Sequence, residues 1–192
     1  MTQRNMSDGG KNEQGGLAAE LADYRRSWPE EADSVADFVE LLGDDQDPFV
    51  RERLAGHFTG AAWLVSADGD RILLTHHRKL DRWLQLGGHA DGDRDLRAVA
   101  LKEAEEESGL SGLSADAGIF DLDRHWIPEH KGVPGHWHYD VRYVVRAGED
   151  ENFAVSDESH ALAWREIASI VDDAELDESL RRMARKWLAR EA

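Results

Sequence analysis

The sequence predicts an α+β sandwich preceded by a helical N-terminal extension. Strand-like and helix-like segments follow one another at irregular intervals after residue 56, which favours an α+β arrangement over a doubly wound parallel sheet. Residues 17–55 show only helical periodicity. Residues 1–16 contain four glycines and almost nothing to bury, so a disordered leader is expected there. The expected organisation is therefore a leader at 1–16, an extension packed on the main domain at 17–55, and the main domain at 56–192.

The extension is expected to contain three helices. Ser27 and Glu30 form a capping-box pattern at the start of the second helix. Pro29 falls in its first turn and Gly43 ends it. A short third helix, opened by an Asp-Pro pair, is expected at 47–54. A brace for the main domain is the preferred role, and homodimer formation is the alternative. The apolar stripes are Leu17, Leu21, Tyr24 and Trp28 in the first helix and Val35, Phe38, Val39 and Leu42 in the second.

The main domain begins with a hairpin, because an Ala-Asp-Gly-Asp turn separates its first two strands. Gly109 is expected to stop the middle helix. The closing helix has a buried stripe of Leu180, Met183, Ala184, Trp187 and Leu188. In chain order, the expected elements are strands at 58–66 and 71–76, an extended segment at 83–86, a helix at 95–108, strands near 113–122 and 138–146, a short segment at 161–164 and a helix at 178–190.

The composition excludes several classes of site and partner. The chain has no cysteine, so it forms neither disulfides nor thiolate metal sites. Its formal net charge of -17 and its pI of about 4.8 argue against nonspecific binding to DNA. No apolar run approaches the roughly 20 residues that cross a bilayer, and the first residues show no signal-peptide pattern. A cytoplasmic protein with neither DNA nor membrane as partner is expected.

The helix at 95–108 carries an unusual distribution of charge. Glu103, Glu106 and Glu107 are spaced i, i+3 and i+4, so their carboxylates share one face. That face also carries Leu96 and Val99, whereas a surface helix normally places its charges opposite its apolar stripe. Like charges crowded at a half-buried position need a cation to neutralise them. An all-oxygen donor set of this kind favours Mg²⁺ or Mn²⁺.

Gly87 and Gly88 follow the extended segment, and Gly88 lies fifteen residues before Glu103. Glycine lets the backbone approach a ligand closely, and a backbone carbonyl here can complete the coordination of a metal. Each feature alone is common, since Gly-Gly is usually a turn and an acidic helix face is usually solvated. Their conjunction with Gly109, which closes the helix, is more specific and predicts a metal site.

The segment from Gly88 to Leu110 resembles a Nudix box. That pattern consists of a glycine, a glutamate, an Arg-Glu pair, a Glu-Glu pair, a second glycine and an aliphatic residue at fixed spacing. Two positions depart from it, because Arg94 stands where the first glutamate is expected and Lys102 replaces the arginine. Ala104 is a small substitute for an aliphatic residue. The matching residues are Gly88, Glu103, Glu106, Glu107, Gly109 and Leu110.

The resemblance implies an α/β/α sandwich with a mixed sheet and a metal-dependent hydrolase that cleaves a phosphoanhydride. The substrate would be a small phosphorylated molecule, such as a nucleoside diphosphate derivative, and the cofactor Mg²⁺ or Mn²⁺. The catalytic candidates are Glu103, Lys102 and Glu158. Glu158 resembles the downstream acidic residue that some family members use as a base, and a solvated loop carboxylate is the alternative. The implied metal ligands are Glu103, Glu106, Glu107 and Gly88.

The two departures leave a second class of function open. Asp93 or Asp95 is a candidate substitute for the missing glutamate, and Lys102 can orient neighbouring carboxylates only as a point charge without a fork. A chain whose box no longer supports turnover would be a binding or regulatory module. An isoprenoid diphosphate isomerase, another activity of the wider superfamily, is disfavoured because it needs a catalytic cysteine.

Residues 121–140 are rich in histidine, tryptophan and basic side chains. The preferred interpretation is a substrate loop, in which aromatic rings stack on a base and basic groups bind phosphate. A long surface hairpin with neutral histidines is the second interpretation. A transition-metal site is the third, since His138 and Asp140 would share a strand face. The candidate substrate-binding residues are Arg124, Trp126, Lys131 and His138, together with His89 beside the glycine pair.

Overall fold

The computed structural model describes residues 10–78, 80–130, 132–155 and 159–190. Within these ranges the chain forms an eight-stranded mixed sheet with helices on both faces and a helical extension before it, as expected. The helices are α1 (Gly10–Ser27), α2 (Ala32–Leu42), α3 (Leu96–Ser108), α4 (Ile167–Ile170) and α5 (Glu178–Arg190). The strands are β1 (His57–Val65), β2 (Arg71–His77), β3 (Arg82–Leu84), β4 (Leu86–His89), β5 (Ser114–Ala115), β6 (Asp121–Ile127), β7 (His136–Arg146) and β8 (Ser159–Glu166).

The first helix of the extension begins at Gly10, ahead of the expected start at Leu17, and residues 1–9 of the expected leader lie outside the described residues. The expected capping box is wrong, because α1 continues through Ser27 and the hydroxyl of Ser27 donates to the carbonyl of Asp23 at 3.2 Å. A 3-10 turn at Pro29–Glu31 leads into α2 instead.

Two further expectations for the extension need correction. In α2 the predicted stripe residues Val35 and Phe38 are buried, but the third buried residue is Leu41, whereas Val39 is 52% exposed. The expected third helix at 47–54 is a series of turns. The Asp47 carboxylate accepts a hydrogen bond from the backbone N–H of Phe49 at 3.0 Å, which closes a local turn that competes with the helix. That turn directs the Phe49 ring into the core, where it contacts Phe58.

Strand β1 is the centre of the sheet. It pairs in parallel with β7 over its whole length and antiparallel with β4 and β2. Beyond β2 lie β3 and β8, and beyond β7 lie β5 and β6. All nine residues of β1 are buried, because helices cover both faces of the sheet at this strand. The expected hairpin of β1 and β2 pairs only at Val65 and Ile72, since β4 takes the remaining length of that edge.

The strand expected near 113–122 is divided into two. β5 covers only Ser114–Ala115, and β6 begins at Asp121 after Gly118, whose φ of +80° breaks the extended conformation. β6 then continues to Ile127 and pairs antiparallel with β7. Residues 121–140 are therefore a hairpin that extends the sheet.

The two faces of the sheet bury separate cores. Helices α1, α2 and α3 cover one face, and α4 and α5 cover the other. The stripe predicted for α5 is buried except for Leu188, which is 39% exposed. No helix in the described ranges is long and apolar enough to cross a membrane.

A buried ion network joins the extension to α5 and to the sheet. The carboxylate of Asp121 is fully buried and contacts Arg142, Arg182 and Lys186. The ammonium of Lys186 also contacts a carboxylate oxygen of Glu31 at 2.6 Å and donates to the hydroxyl of Tyr24. Since a buried charge is stable only when it is paired, this network fixes the position of the extension on the main domain.

We expect Asp121→Asn to lower the free energy of unfolding by about 3–5 kcal/mol, because it leaves three cations facing a neutral amide. Asp116→Asn is the matched control, since Asp116 and Arg146 form a bidentate pair at the surface whose removal costs at most about 1 kcal/mol. Urea unfolding of both variants measures the difference. Equal destabilisation by the two substitutions would contradict a structural role for the buried network.

Candidate functional site

Helix α3 carries the predicted glutamates and has well-defined ends. The Asp95 carboxylate caps it by accepting a hydrogen bond from the backbone N–H of Ala98 at 3.0 Å. Gly109 ends it in the left-handed conformation, with φ of +69°. Both ends agree with the limits expected from the sequence.

The glycine pair of β4 lies directly against two of the glutamates. A Cβ atom added at Gly88 would stand 2.5 Å from Cδ of Glu103, so the glutamate side chain occupies the space that the glycine leaves. The backbone N–H of Gly87 donates to Oε1 of Glu107 at 2.8 Å. Gly87 and Gly88 therefore hold the carboxylate-bearing face of α3 against the sheet.

The three carboxylates lie at different depths. Glu107 is buried, Glu103 is half-buried and Glu106 is exposed. Nζ of Lys102 is 3.6 Å from Oε2 of Glu106 and 3.9 Å from Oε1 of Glu103. Its side chain is 64% exposed, so the two ion pairs contribute little to stability and mainly place one positive charge between two carboxylates.

This donor set fits a hard divalent cation. It consists of carboxylate oxygens from successive turns of one helix and the backbone of Gly88, and oxygen ligands of this kind suit Mg²⁺ or Mn²⁺. The glutamates do not gather into a preformed cage. In the part of the chain that the structure describes, the one group with ligand atoms all within 4.8 Å of one another consists of histidines.

Arg94 stands where the Nudix pattern has its first glutamate. Arg94 and its neighbours Asp93 and Asp95 form structural contacts. The Arg94 guanidinium pairs with Asp47 at 2.9 Å and lies 4.9 Å from the centre of the Phe49 ring. Asp95 caps α3, and the Asp93 carboxylate accepts a hydrogen bond from the backbone N–H of Asp95. Arg94 thus fixes the turns of the extension to the segment before α3.

Arg51 is a residue that the sequence did not single out. Its guanidinium donates from Nε to Oδ1 of Asp91 at 2.6 Å, with a second hydrogen bond from Nη2 to Oδ2. The bond to Asp91 raises the pKa of Arg51, with a smaller contribution from the charge of Glu103. The extension therefore brings a cation close to the acidic face of α3. Its segment was expected to be the short third helix of the extension, and no motif in the sequence pointed to a contact between Arg51 and Asp91.

The candidate substrate-binding residues fall into two groups. His89 and His138 contact each other, with ring centres 4.9 Å apart. Arg124 pairs with Asp37 of α2 at 2.8 Å, and the 51% exposed Trp126 packs edge-on against Trp137. Strand alternation places Arg124 and Trp126 on the face of the hairpin opposite His138. The other two candidates, Lys131 and Glu158, lie outside the described residues.

Four histidines converge near the ends of three strands, and the sequence had singled out neither His57 nor His136 as a site residue. One ring nitrogen of each of them lies within 4.8 Å of the others. Asp140, which the sequence had suggested as a possible ligand beside His138, is bound instead to Thr59 and Arg142. The sequence did not predict that His57 belongs to this cluster, because His57 lies in a strand that is distant in sequence from the histidine-rich hairpin. The four are His57, His89, His136 and His138.

Burial keeps several of these imidazoles neutral. It lowers the pKa of His57, and it lowers the pKa of His89 to about 4, with a further contribution from the charge of Arg51. The pKa of His138 is also far below its usual range, because of burial and the neighbouring histidines. These three side chains are therefore uncharged at neutral pH.

Comparison with known proteins identifies the fold. One similar structure is a Nudix-family hydrolase from Clostridium perfringens, with 21% identity and a TM-score of 0.56. The match covers 71% of this chain and 98% of the chain in that structure. An Ap4A hydrolase from C. elegans (18% identity, TM-score 0.55) covers 70% and 96%, respectively. A MutT protein from Methanosarcina mazei Go1 (16% identity, TM-score 0.56) covers 72% and 97%. No curated protein matches the chain in sequence.

The family model described as the NUDIX domain matches residues 56–188, which include the whole sheet, α3, α4 and most of α5. This match spans well over half of the chain, and the structures above share its fold. The chain therefore belongs to the Nudix family.

Proposed function

We propose that this protein is a metal-dependent hydrolase that cleaves a phosphoanhydride, a diphosphate linked to another moiety. The observation that carries the proposal is the placement of Glu103 and Glu107 of α3 directly against Gly88 and Gly87 of β4. Two carboxylates held against bare backbone form an oxygen-rich site that an anionic substrate can enter only with cations. Membership of the Nudix family supports the same reaction class.

In this proposal Glu103, Glu106 and Glu107 bind Mg²⁺ or Mn²⁺, with the Gly88 carbonyl as an additional ligand. The bound cation would polarise the phosphoryl oxygens and lower the pKa of the attacking water. The protein's own contribution is to hold the carboxylates. The N–H of Gly87 fixes Glu107, and the Gly88 backbone leaves room for Glu103. Because Glu103 is half-buried, it is the carboxylate that we assign as proton acceptor.

Lys102 and Arg51 moderate the negative charge of this site. Lys102 lies between Glu103 and Glu106, at the position where the family pattern has an arginine. Arg51, fixed by Asp91, adds a second positive charge from the extension. In a chain with a formal net charge of -17, such cations reduce the repulsion that a phosphorylated substrate meets.

The proposed substrate is a small nucleotide-like diphosphate. The C. elegans protein that shares this fold is an Ap4A hydrolase. The exposed Trp126 offers a ring for base stacking, and Arg124 and Lys131 are the basic side chains that we propose for phosphate. His89 follows Gly88 in β4 but points to the opposite face of the sheet, so we assign it no contact with the reacting group.

We expect Glu103→Gln to lower kcat by about 10²–10⁴-fold, because the amide can neither accept the proton nor bind the cation as strongly. Glu105→Gln is the matched control, since Glu105 is exposed on the other side of α3. The measurement is release of phosphorylated products from a panel of nucleoside diphosphate derivatives with Mg²⁺ or Mn²⁺. Melting temperatures without metal establish that both variants fold.

Glu103→Gln turnover equal to that of Glu105→Gln would contradict the proposed role of α3. A wild type that binds nonhydrolysable analogues but releases no product from any diphosphate would favour a binding or regulatory module. The substitutions Arg94 and Lys102 in the Nudix pattern are the features that would then explain the loss of turnover.

Lys102 has its own test. We expect Lys102→Ala to lower kcat severalfold, because Glu103 and Glu106 lose the cation between them, whereas Lys102→Arg retains the charge and preserves activity. The measurement is kcat and KM for both variants over a range of Mg²⁺ concentrations. An unchanged kcat in Lys102→Ala would exclude Lys102 from the site.

A further inference from the structure

The four histidines are brought together by strand register. His57 of β1 is the register partner of His138 of β7, and His136 lies two residues earlier on the same face of β7. His89 of β4 is the register partner of Thr59, which shares a face with His57. The cluster therefore joins β4, β1 and β7 at one end of the sheet, on the face opposite α3.

The ring nitrogens of two of these histidines are oriented as in metal ligands. Nδ1 of His57 donates to the carbonyl of Arg53 at 3.2 Å, and Nδ1 of His136 donates to the carbonyl of Pro134 at 2.9 Å. Each bond fixes the tautomer and leaves Nε2 with its lone pair, which in His136 faces Nε2 of His138 at a hydrogen-bond distance of 3.2 Å. Metal-binding histidines are held in this way by backbone carbonyls, with one nitrogen donating and the other free to bind.

Nε2 of His57 points to a missing ligand. His57 is only 1% exposed, and its Nε2 has no hydrogen-bond partner among the described residues. Buried polar atoms are almost always paired, so an unpaired nitrogen that belongs to a cluster of imidazoles needs an explanation. A cation bound by the cluster supplies the missing partner.

The spacing fits a tetrahedral transition-metal ion. Four nitrogens at the usual Zn–N distance of about 2.0–2.1 Å stand about 3.3–3.4 Å apart at the corners of a tetrahedron. Nε2 of His136 is 3.2 Å from Nε2 of His138, close to that edge, and the full set lies within 4.8 Å. Small side-chain rotations bring all four into position. Neutral imidazoles suit Zn²⁺ and not Mg²⁺, which prefers oxygen.

We propose that His57, His89, His136 and His138 bind one Zn²⁺ ion in a structural site separate from the acidic face of α3. Four protein ligands fill a tetrahedral zinc and leave no open position for substrate, which is typical of structural sites. The ion would fasten the end of β4, immediately after Gly88, to β1 and β7. The site does not depend on the proposed hydrolase activity, because the two donor sets share no side chain.

The test is Zn²⁺ titration of chelator-treated full-length protein in excess Mg²⁺, with a chromophoric chelator as competitor. We expect one Zn²⁺ per chain in the wild type. His89→Ala should weaken binding by at least about 100-fold, since loss of an outer-shell partner alone costs 10–100-fold. His89 is only half-buried, so this variant is expected to fold, and circular dichroism checks it. His138→Ala is the second ligand variant.

Two matched controls make the outcome specific. His130→Ala removes an exposed histidine from the tip of the same hairpin, and Glu103→Gln removes a carboxylate from α3; both should bind Zn²⁺ like the wild type. Co²⁺ in place of Zn²⁺ should give the visible absorption of a tetrahedral nitrogen site in the wild type and lose it in His89→Ala. Equal Zn²⁺ affinity in the wild type and His89→Ala, or loss of Zn²⁺ binding in Glu103→Gln, would overturn the proposal.

Discussion

Helix α3 lies against the β1–β4 pair at a separation that only glycine permits. A Cβ atom added at Gly60 would stand 2.7 Å from the carbonyl oxygen of Leu96, and one added at Gly88 would stand 2.5 Å from Cδ of Glu103. Gly60 and Gly88 are register partners, so the two strands present one bare patch of backbone to the helix. The depth of each carboxylate on α3, and thus the character of the candidate active site, depends on this close approach.

The same pair of strands carries different chemistry on its two faces. Successive residues of a strand point to opposite faces, so Gly88 faces α3 while His89 faces the histidine cluster. One face thus offers carboxylate oxygens and the other imidazole nitrogens, which favour different cations. The extension serves both faces, because Arg51 approaches Glu103 and the carbonyl of Arg53 orients His57.

Two helices of the main domain could be predicted from local signals in the sequence. The limits of α3 follow from Asp95 and Gly109, and α5 was located to the residue by its apolar stripe. The histidine cluster could not be predicted, because it depends on pairing between strands that are distant in the sequence. His57 lies beside His138 because β1 and β7 pair in parallel, although the two strands are far apart in the sequence. No spacing in the sequence predicts that register. Residues 47–54 were mispredicted because Asp47 closes a local turn that outweighs helix propensity and buries Phe49.

We propose that the face of α3 packed on Gly88 is a divalent-cation site. Anomalous X-ray scattering from crystals grown with Mn²⁺ tests this proposal. We expect a manganese peak about 2.0–2.2 Å from carboxylate oxygens of Glu103 and at least one of its neighbours Glu106 and Glu107, with the Gly88 carbonyl facing the ion. Well-ordered glutamates that bind only water, with manganese found elsewhere on the molecule, would contradict it.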